Sequence, residues 1–429
     1  MKSDNSPPRG TRDLLPATVA DRDHVLAAIT EVYRHHGYHR IETPALEDIG
    51  RLTGGQGGEN EKLIYRVLRR GLAEPLAEGV GLADLVDLGL RYDLTVPLTR
   101  FYGAHHAQLP LPFRSFQFGP VWRAERPQKG RYRQFYQCDI DIIGEESVLA
   151  EIELIEATVA ALDAIGLAGT TVRISDRRLL AALAEHVGLP PETWDGFFIT
   201  LDKLDKIGWD GVTAELVESR GLAAEAVGVV RTQIERLKSV PIDSVVDTLA
   251  DALPALAEQT LADLGTTIAG LAPLAESSGS TWEFDPTLVR GMGYYTGQVF
   301  EIVHPDSASS LAGGGRYDRL IGRSLGREVP ACGFSIGFER IVDLLGGARR
   351  GEQVAVLHES EVQSAEVLAV ARELRAAGRP AAPVRRRGKF GAQLDRLTEW
   401  GFTSFVHLGS RRDPDSPLAE RSLGEQQNR

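Results

Sequence analysis

The sequence RPQKGRYRQFYQCDIDII, residues 126–143, contains an alternation that is typical of a β-strand. From residue 131 onward successive side chains switch between two chemical classes, and neighbouring side chains in a strand point to opposite faces of the sheet. The odd positions are mostly polar and the even positions mostly apolar: Arg131, Arg133, Phe135, Gln137, Asp139 and Asp141 against Tyr132, Gln134, Tyr136, Cys138, Ile140 and Ile142. The polar turn RPQKG joins this segment to the preceding run FRSFQFGPVW, which predicts an antiparallel hairpin.

The polar face of this strand allows two interpretations. Antiparallel sheets commonly expose one face to water, so the face is either a solvated surface or part of a binding site. Arginines bind phosphates, an aromatic ring stacks on a flat base, and carboxylates attract a cation. Similar side chains occur at other predicted strand ends and favour a binding site: Arg123, Glu125, Arg340 and Asp93.

The rest of the chain predicts an α+β protein in which helices interrupt one sheet. Strand patterns occur within residues 1–174 and return in residues 281–348, whereas residues 175–280 are mostly helical. We interpret this helical block as an insertion. Residues 352–429 alternate between strand and helix patterns, which predicts a small α/β domain.

Composition narrows the class of protein. The chain has 429 residues, 42% hydrophobic side chains and a net charge of -12, and no apolar run approaches the ~20 residues of a membrane span. The amino terminus has no apolar secretory signal. The only cysteines are Cys138 and Cys332, which predicts neither a disulfide framework nor a structural metal site. We therefore expect a soluble cytoplasmic protein without membrane contact.

Several segments resemble the class II aminoacyl-tRNA synthetases. GYHRIETPALED is similar to their motif 1, FRSFQFGPVWRAERPQKGRYRQFYQ to motif 2 and GFSIGFERI to motif 3. VRGMGYYTGQVFE and GGGRYD resemble the two histidine signatures of the histidyl-tRNA synthetase family, which PRGTRDLLP and RYDLT also match. The resemblance implies a catalytic antiparallel sheet flanked by helices, formed by residues 1–174 and 281–348, and a compressed anticodon-binding domain in residues 352–429.

The resemblance also implies a reaction and an ATP site. Histidine and ATP would give histidyl adenylate, and the histidyl group would pass to the 3′ end of tRNA(His). By similarity, the catalytic residues are Arg123, Arg290 and Arg340, and the ATP-binding residues are Arg123, Glu125, Arg131, Phe135 and Arg340. Mg²⁺ is expected with the triphosphate, although no residue is assigned to it.

For histidine the resemblance implies a second group of residues. Those near the amino group and the α-phosphate are Asp93, Thr95, Gln137, Asp141 and Arg290, and those near the imidazole are Tyr294, Tyr295 and Tyr317. Three positions depart from common members of the family. Gly293 replaces an acid, and Asp93 and Asp141 each replace a glutamate, which shortens the reach of these carboxylates by about one methylene.

The family pattern further implies nucleic-acid and protein partners. Arg126, Gln128 and Lys129, in the cationic motif 2 loop, are candidates for contact with the acceptor end of tRNA(His). The basic run that includes Arg385 and Lys389 is either a tRNA contact or a solvated face. The motif 1 segment with Pro44 implies a homodimer.

Two alternatives remain open at this point. One is a noncatalytic paralogue similar to the regulatory subunit of ATP phosphoribosyltransferase, although such relatives usually lack the carboxyl-terminal domain and part of motif 2. The other is a histidine-adenylating enzyme with an acceptor other than tRNA. A metal-dependent hydrolase is not supported, because the ten histidines form no pair at i and i+4 with a third ligand in an HExxH-type motif.

Overall fold

The computed structural model describes residues 5–54, 62–72, 79–126, 131–289, 294–322, 325–346, 353–409 and 419–423. The chain divides into two compact units. The first comprises residues 1–12 and 27–344, and the second comprises residues 13–26 and 345–429. The predicted α+β fold class is confirmed; the domain boundaries predicted from the sequence stay predictions.

An eight-stranded sheet forms the centre of the first unit. Its order is β1-β5-β6-β11-β10-β9-β7-β8, with parallel pairs at the two ends (β1 with β5, β7 with β8) and antiparallel pairs between them. The strands are β1 His39–Arg40, β5 Phe113–Trp122, β6 Gln134–Ile143, β7 Thr171–Asp176, β8 Thr281–Phe284, β9 Gln298–Val303, β10 Ala312–Arg316 and β11 Ala331–Ile336. A smaller antiparallel sheet, in the order β2-β4-β3, contains β2 Leu46–Asp48, β3 Arg66–Leu68 and β4 Val86–Leu90.

The hairpin predicted from residues 113–143 is present as β5 and β6. Its register places Gly119 opposite Gln137 and Ser115 opposite Asp141. The even side chains Cys138, Ile140 and Ile142 are buried, as the apolar face requires. β6 also pairs with β11, so the strand lies inside the sheet and both of its edges are hydrogen-bonded.

Helices cover the sheet and fill the interval between β7 and β8. In chain order, the described part of residues 16–345 contains the α-helices Pro16–His35, Ile49–Thr53, Leu82–Leu85, Thr95–His105, Leu149–Ala164, Arg177–His186, Trp194–Leu201, Leu204–Ala214, Ala224–Lys238, Val245–Ala252, Glu258–Ser278, Asp318–Gly322 and Phe338–Leu345. Short 3-10 helices cover His106–Gln108, Pro191–Thr193 and Ile242–Ser244, and a π-helical turn covers Glu215–Ser219.

A buried ion pair ties helix Leu149–Ala164 to β10. The Arg316 guanidinium donates to both carboxylate oxygens of Glu151 at 2.7 Å and also to the backbone oxygen of Ser147 at 2.8 Å. Both side chains are almost fully buried. Two opposite charges are stable in the protein interior only when they form well-aligned hydrogen bonds with each other.

The second unit contains a four-stranded sheet in the order β13-β12-β14-β15. Its first three strands are parallel, and the last is antiparallel to β14. The elements are β12 Val354–His358, β13 Ala381–Arg385, β14 Ser404–Leu408, β15 Glu420–Ser422 and the helices Ser364–Ala376 and Phe390–Glu399. One helix packs its apolar side against Val354 and Val356, and the other packs against Leu357, so the sheet has helices on both faces. The predicted small α/β domain is thus confirmed.

Candidate active site

A cleft of about 1070 Å³ lies in the first unit. Its floor includes the polar face of β6, because the side chains at positions 135, 137, 139 and 141 all point to the same side of the sheet. Twelve residues predicted from the sequence line it: Asp93, Thr95, Arg123, Glu125, Arg131, Phe135, Gln137, Asp141, Tyr294, Tyr295, Tyr317 and Arg340. The sheet therefore brings together side chains that are up to 247 positions apart in the sequence, from Asp93 to Arg340.

Four other predicted residues are not in this group. Arg126 is exposed at the beginning of the loop between β5 and β6, and it does not line the cleft. Arg290, Gln128 and Lys129 lie outside the residues that the structure describes, as does Gly293. The roles predicted for these residues stay predictions.

Glycines make room for the deepest part of the cleft. Gly333 of β11 is opposite Asp141, and a Cβ atom at this position would lie 2.1 Å from Asp141 Oδ1 and 3.1 Å from the Tyr317 ring. A larger residue would displace both side chains. The run of small residues in β10 and β11 therefore leaves space above the polar face of β6.

The deep end of the cleft contains three buried carboxyl groups. The Tyr317 hydroxyl donates to Asp141 Oδ1 at 2.5 Å, and the backbone N–H of Val96 donates to Asp93 Oδ1 at 3.0 Å. Burial raises the pKa of Asp141 to about 7; Tyr317 opposes this effect and Asp93 adds to it. Burial likewise raises the pKa of Asp93. The pKa of Asp139 is raised well above its usual range, mainly by burial and secondly by the neighbouring Asp141 carboxyl group. Such a site favours a ligand that brings positive charge.

Three tyrosines stand beside these carboxyl groups. The ring centroids of Tyr294 and Tyr295 are 4.8 Å apart, and Tyr294 meets Tyr317 edge to face at 5.8 Å. Burial raises the pKa of both Tyr294 and Tyr317 well above its usual range, so their hydroxyls stay protonated at neutral pH. Flat rings with hydroxyl donors are suited to a small polar ring such as imidazole.

Another part of the cleft lining is cationic and aromatic. The Arg123 Nε donates to the backbone oxygen of Tyr92 at 3.0 Å, and its Cζ lies 5.1 Å from the centre of the Phe135 ring. The Arg131 Nη1 lies 3.7 Å from Glu125 Oε2. The Arg340 Nη1 donates to the backbone oxygen of Ser310 at 2.5 Å. Each arginine is thus held by an acceptor and brings a charge to the cleft, where phosphate oxygens could bind.

The structure adds residues that had no assigned role in the sequence interpretation. Asp139 and Ser335 are cross-strand partners in the floor, and the Ser335 hydroxyl donates to Asp139 Oδ1. Glu339, beside Arg340, accepts from the Arg12 guanidinium and from the backbone N–H of Tyr136. The alternation of β6 already indicated that Asp139 faces the cleft. No local pattern could pair it with Ser335.

The described residues contain neither a metal-binding cluster nor a membrane-spanning helix. No group of three or more His, Cys, Asp and Glu side chains among them is arranged to hold a metal ion. Their helices are also too short or too polar to cross a membrane.

Comparisons with known proteins agree on one family. The family model described as "Histidyl-tRNA synthetase" matches residues 10–341. The chain is 49% identical to the histidine–tRNA ligase of Leifsonia xyli subsp. xyli, with 99% of each chain covered. It is 33% identical to the histidine–tRNA ligase of Bacteroides fragilis, covering 98% of this chain and 96% of that one.

Solved structures give the same result for the fold. The histidyl-tRNA synthetase from Nostoc sp. PCC 7120 superposes with a TM-score of 0.80 at 26% identity, covering 99% of this chain and 96% of that chain. A Bacillus halodurans protein described as an ATP phosphoribosyltransferase regulatory subunit/histidyl-tRNA synthetase shares the fold, with a TM-score of 0.75 at 24% identity over 95% of this chain and 99% of that chain. Because the family model covers most of the chain and relatives match nearly all of it, we conclude that this chain belongs to the histidyl-tRNA synthetase family.

Proposed function

We propose that this chain is a histidine–tRNA ligase: it activates L-histidine with ATP and transfers the histidyl group to the 3′ end of tRNA(His). The observation that carries this proposal is the 49% identity to a histidine–tRNA ligase over 99% of both chains. The cleft supports it, since its lining combines carboxyl groups and tyrosines with several arginines. The ammonium group of an amino acid is complementary to the carboxyl groups, and the phosphates of ATP are complementary to the arginines.

Histidine would bind beside the buried carboxyl groups and the tyrosines. Asp93, Thr95, Gln137 and Asp141 would surround the α-ammonium group, because carboxylates and amide oxygens accept its three N–H groups. Tyr294, Tyr295 and Tyr317 would surround the imidazole. The buried oxygen Asp93 Oδ2 supports this assignment, since it has no hydrogen-bond partner among the described residues. A buried acceptor of this kind is costly unless a ligand satisfies it.

ATP would bind along the arginines and Phe135. Phe135 would stack on the adenine, with Glu125 and Arg131 beside it, and Arg340 would hold the far end of the triphosphate. Members of the class II synthetase family use ATP with Mg²⁺, which neutralises part of the phosphate charge when bound. We assign no residue of this chain as its ligand.

The first step would be an in-line attack by the histidine carboxylate on the α-phosphate, with pyrophosphate leaving. Little proton transfer is needed, so catalysis depends on position and charge. Arg123 and Arg290 would stabilise the negative charge that develops on the α-phosphate. The tRNA 3′ hydroxyl would then attack the carbonyl carbon of the adenylate, releasing AMP.

The partners and compartment follow from the same proposal. Arg126, Gln128 and Lys129 would contact the acceptor end of tRNA(His), and the second unit would bind the anticodon region. We also propose a homodimer formed through the motif 1 segment, and a cytoplasmic location, where the tRNA substrate is found.

The two alternatives predict different outcomes. A regulatory paralogue is not favoured, because Arg123 and Arg340 line one cleft and the second unit is present. An adenylating enzyme with another acceptor would form histidyl adenylate but would not transfer the histidyl group to tRNA.

The first test is ATP–pyrophosphate exchange with each of the twenty amino acids. We expect exchange with histidine alone, and a loss of ~100-fold or more in Arg123→Ala and Arg290→Ala, since removing a donor to developing charge costs this much in other enzymes. Asp306→Asn serves as the matched control, because this side chain is 80% exposed outside the cleft. Absence of histidine-dependent exchange in the wild-type chain would refute the proposal.

A further inference from the structure

Asp139 is a buried carboxyl group to which the reaction described above gives no task. It lies in the middle of β6 and is 4% exposed, yet it lines the cleft. Each of its oxygens has a different partner. Oδ1 accepts from the Ser335 hydroxyl at 2.5 Å, and Oδ2 accepts from Gln137 Nε2 at 3.3 Å.

These contacts determine the orientation of the Gln137 amide. Its nitrogen donates to Asp139 Oδ2 and to the Ser335 hydroxyl, both at 3.3 Å. The Ser335 hydroxyl donates its proton to Asp139 Oδ1, so its oxygen can only accept from Gln137, which favours the amide nitrogen on this side and the amide oxygen away from it. The remaining atom, Gln137 Oε1, is buried and has no hydrogen-bond partner among the described residues.

A flipped amide would have the opposite effect. It would set Gln137 Oε1 against the Ser335 oxygen, which has already donated its proton to Asp139, and it would offer two N–H donors in place of the acceptor. The α-ammonium group of an amino acid has only donors, so it requires acceptors around it. Asp93 Oδ2, another buried acceptor without a partner in the described ranges, belongs to a residue that also lines the cleft.

A second glutamine near Asp139 does not hold the Gln137 amide. Gln117 of β5 is opposite Asp139 in the hairpin register, but its Nε2 donates to the backbone oxygen of Leu94 at 3.2 Å. Its Oε1 accepts from the Thr43 hydroxyl at 3.4 Å. Gln117 is thus engaged elsewhere, and among these residues only Asp139 and Ser335 accept from Gln137.

We propose that Asp139 is a positioning residue for substrate recognition: with Ser335 it fixes the Gln137 amide so that its oxygen accepts from the α-ammonium group of histidine. The inference rests on the proposed function, because it assumes that histidine occupies the cleft. Asp139 itself does not touch the substrate in this arrangement. Its effect is exerted through Gln137.

A double-mutant cycle tests this dependence. Histidine-dependent ATP–pyrophosphate exchange is measured for the wild type, Asp139→Ala, Gln137→Ala and the double variant. We expect the KM for histidine to rise ~10-fold to ~100-fold in each single variant, as for the loss of a hydrogen bond to a charged group, with kcat changing less than ~3-fold. The double variant is expected to lie far closer to Gln137→Ala than to the sum of the two single effects, because the hydrogen bonds of Asp139 reach the substrate through Gln137.

A substrate analogue separates this role from a general effect on the cleft. The inhibitor 3-(imidazol-4-yl)propionate retains the ring and the carboxylate of histidine but lacks the amino group. Its inhibition constant is expected to stay within ~2-fold of the wild-type value in Asp139→Ala. Equal weakening of histidine and of this analogue would overturn the inference, as would fully additive effects in the double variant.

Ser335→Ala keeps the test informative if Asp139→Ala does not fold. This change removes one acceptor of Gln137 Nε2 and one partner of Asp139, and we expect a ~3-fold to ~10-fold rise in the KM for histidine without a change for the analogue. An unchanged KM would contradict the inference. A wild-type chain without histidine-dependent exchange would refute the proposed function and this inference together, whereas an active wild type with additive variants would refute the inference alone.

Discussion

Replacing Asp141 with asparagine is expected to make the protein more stable and histidine activation weaker. Asp141 is 3% exposed, and burial raises its pKa to about 7 from the ordinary 3.8. In Asp141→Asn the side-chain oxygen can still accept from the Tyr317 hydroxyl, so the change removes the charge and preserves the shape. Stability and function therefore oppose each other at this residue.

The size and the sign of the stability effect follow from the pKa. Below about pH 4 the carboxyl group is protonated in both the folded and the unfolded chain, so its ionisation has no effect on stability. Between pH 4 and pH 7 the unfolded chain ionises first, and the wild type loses stability as the pH rises. A displacement from 3.8 to about 7 corresponds to roughly 4 kcal/mol, all of which is present above pH 7.

Urea denaturation from pH 4 to pH 9 measures this effect. The free energy of unfolding of Asp141→Asn should exceed that of the wild type by up to roughly 4 kcal/mol at pH 8, and the two values should converge near pH 4. The control is Asp306→Asn, an exposed position whose curve should run parallel to the wild type. A difference that does not vary with pH, or a less stable Asp141→Asn at pH 8, would refute the reasoning. In exchange assays the KM for histidine should rise at least ~10-fold, because a carboxylate partner of the ammonium is lost.

Two further predictions concern the scaffold of the site. Arg316→Met should lower the free energy of unfolding by ~3–5 kcal/mol in urea, because it leaves the buried Glu151 charge without its partner; an unchanged midpoint would contradict this. Gly314→Ala should destabilise by ~1–3 kcal/mol or more, since its Cβ would lie 2.0 Å from the backbone oxygen of Gly333. Gly228→Ala, in an exposed helical position with nothing within 4 Å, is the matched control and should instead stabilise by about 0.5–1 kcal/mol.

The floor of the site could be predicted from the sequence because one short segment of the chain forms it. The alternation in residues 131–143 specifies which side chains share a face, and the short turn specifies an antiparallel partner, so Phe135, Gln137 and Asp141 could be grouped without a structure. The strand itself begins at Gln134, three residues later than the alternation, since Arg131 precedes the region that pairs with β5.

The remainder of the site depends on pairing between distant segments. Ser335 contacts Asp139 across 196 positions, and Arg12 contacts Glu339 across 327 positions. Such contacts follow from the order of strands in the sheet and from their register, and neither is contained in the periodicity of a single segment. The pKa of Asp141 was unpredictable for the same reason, since it depends on how completely other elements bury the carboxyl group.

Charging of tRNA(His) with labelled histidine by the purified chain tests the central claim most directly. We expect ATP-dependent attachment of histidine to tRNA(His), little attachment to a non-cognate tRNA, and loss of ~100-fold or more in Arg123→Ala. Histidine-dependent pyrophosphate exchange without charging would contradict the account, because it would assign the adenylate to another acceptor.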